Sequence, residues 1–224
     1  MMKESKAYRV IMVLLGSVAA MAMLFCALYS LGLFDFVKEE EVTLNADDFG
    51  SLYTGRLLGG KMDGQGEINY KNGDSYKGDF VNGVYEGSGV FKSADGWKYK
   101  GEWKEGLPDG TGRFTDMNGG VFKGEFAAGK ITGEGSFKPP DEWIYDGMWS
   151  QGRQVGTGTF TYTDGSVYIG DFVDGAATGQ GAYTDAAGWK YEGGFAQGLF
   201  EGEGTLTYED GEELESVWVE GRPE

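Results

Sequence analysis

The sequence predicts an all-β fold: a single-layer antiparallel meander of about seven 23-residue β-hairpin repeats, preceded by one transmembrane α-helix. Three observations carry that expectation. One aromatic position returns at a constant step of 23 residues, as Tyr53, Tyr76, Tyr99, Phe122, Tyr145, Tyr168 and Tyr191, with Leu214 last. A fixed period of about 20 to 50 residues marks a solenoid or array. Within each period apolar and polar residues alternate, as in a strand with one apolar face. Finally, residues 10–34 form an uncharged, mostly apolar run of 25 residues.

Taken in order, residues 1–9 carry Lys3, Lys6 and Arg9 against Glu4. The run 10–34 would be a helix about 37 Å long, enough to cross the roughly 30 Å hydrocarbon core of a bilayer. It exceeds the usual h-region of a cleaved signal, no small-x-small site follows it, and Phe25 before Cys26 disfavours a lipoprotein signal. Positive charge before the helix and Asp35, Glu39, Glu40 and Glu41 after it place the N-terminus in the cytoplasm and the repeats outside. Gly16 and Ala20 are spaced for helix packing, although small residues are ordinary in such a helix. Residues 35–52 are an acidic connector: either a solvated spacer or, over EVTLNADDF, a first strand protecting the open edge of the sheet.

Residues 53–224 hold the repeats. Each first strand reads Tyr-x-Gly-x-aromatic, as in Tyr99, Gly101 and Trp103, and each second strand Gly-x-Gly-x-aromatic, as in Gly110, Gly112 and Phe114. Strand glycines call for close approach of a large group, so Gly78, Gly101, Gly124, Gly147, Gly170 and Gly193 are expected to vacate space for adjacent rings. Asn72-Gly73, Asp95-Gly96, Asn118-Gly119, Asp164-Gly165 and Asp210-Gly211 suit two-residue type I′ turns between units. The link inside each unit, marked by Gly60, Gly83, Gly106 and their equivalents, is expected to be longer. Leu57, Leu214 and Ser216 depart from the pattern as capping units do. Pro139 and Pro140 predict a kink or protruding loop in the fourth unit.

Tyr-x-Gly-x-Trp/Phe, then Gly, then Gly-x-Gly, then Asp-Gly, repeated at 23 residues from Tyr53 to about Gly221, resembles the MORN (membrane occupation and recognition nexus) repeat. The resemblance implies a twisted or curved array of antiparallel hairpins. It also implies a scaffold or protein-binding role, with association to membranes or lipids in some members and catalytic domains fused in a few. Cell-wall choline-binding repeats are also rich in Gly, Trp and Tyr, but their paired aromatics fit less well.

Composition narrows the chemistry. Glycine, 41 of 224 residues, exceeds the usual share of roughly 7 per cent. The net charge is −17; because residues 1–9 carry +2 and the apolar run none, everything from Asp35 onward carries −19. Such a domain disfavours nucleic acid and anionic headgroups. There is no His, and Cys26, inside the apolar run, is the one Cys. No triad, thiolate site, zinc or calcium spacing or phosphate loop is present, so neither catalysis nor a metal or cofactor is expected. Asp79, Glu102, Glu125 and Asp171 sit at outward parity and are expected to be a solubilising face; paired carboxylates remain the enzyme alternative.

Trp97, Trp143 and Trp189 recur every 46 residues in phase with Tyr99, Tyr145 and Tyr191. With Tyr85 and Phe200 they are the candidate partner-binding residues, packing into the core being the other possibility; Tyr99, Trp103, Tyr145 and Trp149 are assigned to the core. The expectation is a membrane-anchored scaffold presenting its aromatic face to a protein partner, with acidic residues favouring basic partners. A cell-wall polysaccharide module is the alternative.

Overall fold

The computed structural model describes residues 42–45, 50–140 and 143–224. The expected transmembrane segment 10–34 and the N-terminus before it lie outside the described residues, among which no helix is long and apolar enough to cross a membrane.

The strands are β1 (Val42–Asn45), β2 (Leu52–Leu58), β3 (Lys61–Asn69), β4 (Ser75–Val81), β5 (Val84–Lys92), β6 (Lys98–Lys104), β7 (Leu107–Thr115), β8 (Val121–Ala127) and β9 (Lys130–Lys138). They continue as β10 (Ile144–Ser150), β11 (Arg153–Thr161), β12 (Val167–Val173), β13 (Ala176–Thr184), β14 (Lys190–Ala196), β15 (Leu199–Thr207), β16 (Glu213–Val219) and β17 (Arg222–Pro223). All belong to one sheet in which each strand pairs antiparallel with the next in sequence. Residues 42–45 of the connector form an edge strand, with Val42 opposite Gly55 and Asn45 opposite Leu52.

The two kinds of turn are the reverse of the expectation. The tight link lies inside the unit: Asn82 (φ 52°) and Gly83 (φ 88°) both take the left-handed conformation that a two-residue type I′ turn requires. At the link between units only the glycine does so, as at Gly73 (φ 95°). There Gly73 N donates to Tyr70 O at 2.9 Å and Tyr70 N to Asp74 O at 2.9 Å, the pattern of a three-residue loop closed by a left-handed glycine. The Asn or Asp side chain then caps the loop, Asn72 Oδ1 accepting from Asp74 N at 3.0 Å. Tertiary bonds stabilise the tight turns even where no Asn or Gly leads: Ala128 N donates to the Asp109 carboxylate at 3.0 Å, and Gly129 N to Pro108 O at 2.8 Å.

The two glycines of each Gly-x-Gly serve different purposes. The first, such as Gly87 (φ 63°), is left-handed at a register slip where the second strand carries extra residues. The second joins a rung of glycines running from strand to strand, Gly66–Gly78–Gly89–Gly101–Gly112 and onward to Gly204, ending at Ser216. The ring that needs the space is the unit's own Tyr, two residues before one glycine and across the hairpin from the next: Cβ atoms at Gly78 and Gly89 would lie 2.7 and 2.3 Å from the Tyr76 hydroxyl.

Asp79 and Glu102 are more than a solubilising face. Each carboxylate accepts the N–H left over at the slip, from Ser88 N at 3.0 Å and Thr111 N at 3.1 Å. Glu102 also accepts from the Thr111 hydroxyl at 2.6 Å, and these bonds hold its carboxyl below the usual range. The two prolines do not break the meander: β9 and β10 keep the pairing of Phe137 with Tyr145 found in the other units.

Candidate functional site

One face of the sheet is aromatic. The first-position rings, Tyr53 through Tyr191, are fully buried or nearly so, each lying flat on the glycine rung. Their hydroxyls donate across a local turn to the carbonyl three residues on, as Tyr76 to Asp79 O and Tyr99 to Glu102 O, both at 3.0 Å. Phe122 lacks that donor. Fifth-position rings stand edge-on between them: Trp103 meets Tyr76 at 5.3 Å and Tyr99 at 5.0 Å, and Trp149 meets Phe122 at 5.3 Å and Tyr145 at 5.2 Å. This edge-to-face zigzag, the favoured geometry for aromatic pairs, is the hydrophobic core, so Tyr99, Trp103, Tyr145 and Trp149 lie where the sequence assigns them. Burial raises the pKa of the tyrosines, to about 12 at Tyr99.

A second row of rings lies beside the zigzag, half-buried. Trp97 stacks on Phe91 (centroids 4.8 Å apart, 19° between planes) and tilts toward Phe114 at 5.9 Å. Trp143 stacks on Phe160 at 4.9 Å and tilts toward Phe137 at 5.5 Å. Trp189 packs against Tyr183 at 5.2 Å. The three candidate tryptophans thus fall on one row, each packed on its second-strand neighbours and each with part of its ring in solvent.

Tyr85 and Phe200 sit elsewhere on the same face. Each stacks directly on a buried tyrosine, Tyr85 on Tyr76 at 3.7 Å and Phe200 on Tyr191 at 3.8 Å. Tyr85 also shares a hydrogen bond with the Tyr70 hydroxyl, and burial raises its pKa. These two rings cover the core near the ends of the array. In the units between, the same register position holds Pro108, Ile131, Gln154 and Ala177.

Sequence reasoning missed Tyr70 and Tyr162 as members of the face. Tyr162 extends the second row at 4.7 Å from Phe160, and Tyr70, with Tyr85, Phe91 and Ser51, lines a shallow recess at the N-terminal end. Their signal was present: they occupy the first loop position where Trp occupies the last one in neighbouring units. Among the described residues no group of His, Cys, Asp or Glu side chains is arranged to hold a metal ion.

The family model for the MORN repeat matches seven segments of the chain, residues 53–75, 76–98, 99–121, 122–141, 145–167, 168–190 and 191–213. No curated protein matches the chain. Among solved structures, the TCP domain of SAS-4 (dCPAP) from Drosophila melanogaster, in complex with a proline-rich motif of Ana2 (dSTIL), is similar at 14% identity. That likeness covers 70% of this chain and 86% of the other, with a TM-score of 0.45. The TCP10c domain of Drosophila melanogaster Sas-4 is similar at 12% identity over 70% and 94% of the two chains, with a TM-score of 0.42. The G-box domain of the microcephaly protein CPAP is similar at 18% identity over 80% and 99%, with a TM-score of 0.34.

Proposed function

This chain belongs to the MORN-repeat family, and from that premise we propose a single-pass membrane scaffold that presents its repeat sheet outside the cytoplasm to a protein partner. The observation that carries the reading is the second row of rings: Trp97, Trp143 and Trp189 stay half-exposed down one face, and among the described residues no second layer covers them. Exposed aromatic rows of this kind favour interaction, because aromatic side chains contribute large contact area for little lost rotamer freedom. The acidic domain favours a basic partner. The uncharged run 10–34 and the charge difference across it support the anchor and its orientation.

The test is capture by the full chain from detergent-solubilised membranes, run beside sedimentation with purified cell walls. A protein recovered by the wild type and lost when Trp97, Trp143 and Trp189 are replaced together by Ala supports the reading, provided the far-UV circular dichroism of the sheet is kept. Retention on walls with no protein recovered favours a polysaccharide module instead.

A further inference from the structure

The face opposite the rings is polar, and register sorts its charges in a way that net charge conceals. Along one rung of directly opposed residues run Lys77, Val90, Lys100, Arg113 and Lys123, on β4 to β8. On the next rung of that face, Lys92 lies opposite Lys98, and Lys138 follows on β9 beyond Thr115 and Val121. All seven cations are exposed. Neither rung carries a carboxylate on these strands. Farther along, the first rung turns acidic, with Asp146 on β10, Glu192 on β14 and Glu215 on β16.

Like charges directly opposite on neighbouring strands destabilise a sheet, yet here Lys92 faces Lys98 and Lys100 faces Arg113, which faces Lys123. Among the described residues Lys77 alone of the seven forms an ion pair, to Glu67 at 3.1 Å. Of the carboxylates two residues along the strands, Asp79 and Glu102 are already accepting bulge N–H groups, and Glu125 holds the equivalent position beside Lys123. Four of the cations, Lys77, Lys100, Arg113 and Lys123, line a shallow groove together with Glu102 and the rung glycines between Gly78 and Gly112.

From this cluster we infer that the polar face of β4 to β9 is a docking strip for a short, acidic, extended peptide segment. Five inter-strand steps of about 4.8 Å make the strip roughly 24 Å long, the reach of about seven extended residues. Length selects the occupant. A duplex nucleic acid or a bilayer surface extends well past 24 Å and would bring its phosphates against the acidic half of the same face. A seven-residue segment stays on the cations. The strip is separate from the aromatic face, so it stands or falls independently of the scaffold reading.

The probe is fluorescein-labelled heptaglutamate, titrated into the full chain in non-ionic detergent and followed by fluorescence anisotropy. Saturable binding that weakens as salt rises from about 50 to about 300 mM is expected. The triple variant Lys100→Gln, Arg113→Gln, Lys123→Gln should lose affinity by about tenfold or more; Arg153→Gln with Lys190→Gln, on β11 and β14 away from the strip, should not. Should the triple variant lose its β-sheet circular dichroism, Arg113→Gln alone is to show a loss in the same direction. Absence of saturable binding, binding unchanged by the strip variants, or tighter binding to a DNA duplex or to vesicles of anionic phospholipid than to heptaglutamate would overturn the inference.

Discussion

The smallest unit of this fold is a tyrosine lying on two glycines. Tyr99 covers Gly101 and Gly112, and a Cβ at Gly112 would meet its hydroxyl at 2.4 Å, so ring and glycines are each required by the other. The hydroxyl satisfies the carbonyl of Glu102. Phe122 fills the same seat, its Cζ 2.4 Å from where a Gly135 Cβ would stand, without making the bond. Phe122→Tyr should therefore add a hydrogen bond to Glu125 O and stabilise the domain by about 1 kcal/mol, whereas Tyr99→Phe should cost about the same. Urea denaturation of the two variants measures both; a destabilised Phe122→Tyr would mean that the seat cannot admit the hydroxyl. The repeating Tyr and Gly are plain in the sequence, but the seating of one ring on two glycines is not, because the second glycine reaches the ring only through the pairing of the unit's two strands.

At the scale of the hairpin, local preference and tertiary context compete. Asn-Gly and Asp-Gly are good type I′ dipeptides, yet pairs such as Asn72-Gly73 and Asp95-Gly96 occupy the longer loops between units. The type I′ turns are made by Asn82-Gly83 and Asp174-Gly175, and equally by Glu105-Gly106, Ala128-Gly129 and Gln151-Gly152, with first-position φ near 50°. The cost of the left-handed conformation at Ala128, about 1–2 kcal/mol, is offset by bonds from the previous unit: Asp109 takes its N–H and Pro108 that of Gly129. Ala128→Asn keeps the N–H and relieves part of that strain, so it should raise stability by about 0.5–1 kcal/mol. Thermal unfolding provides the check, and an unchanged or lowered midpoint would show that the turn holds no strain.

Across the whole array burial moves the first-position tyrosines in one direction. Tyr99, Tyr145 and Tyr168 are pushed from 10.0 up to about 12 by burial, and Tyr53 and Tyr191 move in the same direction. Folded-state values above the unfolded value mean stability that is fully present below pH 10 and lost as pH rises toward 12. Each ring touches the edge-on rings of its own and the next unit, so ionising one weakens its neighbours' packing. The sheet should lose stability between about pH 10 and pH 12, read as a falling midpoint of urea denaturation followed by the far-UV signal. A midpoint that stays constant across that range would show the rings to be solvated.

Periodicity and alternation by themselves determined a single antiparallel sheet of 23-residue hairpins with rings on one face, because strand parity and a constant step leave each residue only one face and one unit. What the tertiary structure alone decided is register. It set which of two glycine-marked links is tight, which glycine bends the strand, where Asp79 and Glu102 find a bulge N–H, and which cations meet across strands. Lys77, Lys100 and Lys123 are 23 apart and visible as a series, but Arg113 joins them only because the two-residue slip in every hairpin shifts its strand onto their rung. Charge summed over the chain averages that strip away, since electrostatics act through distance between side chains and a sequence holds only their order.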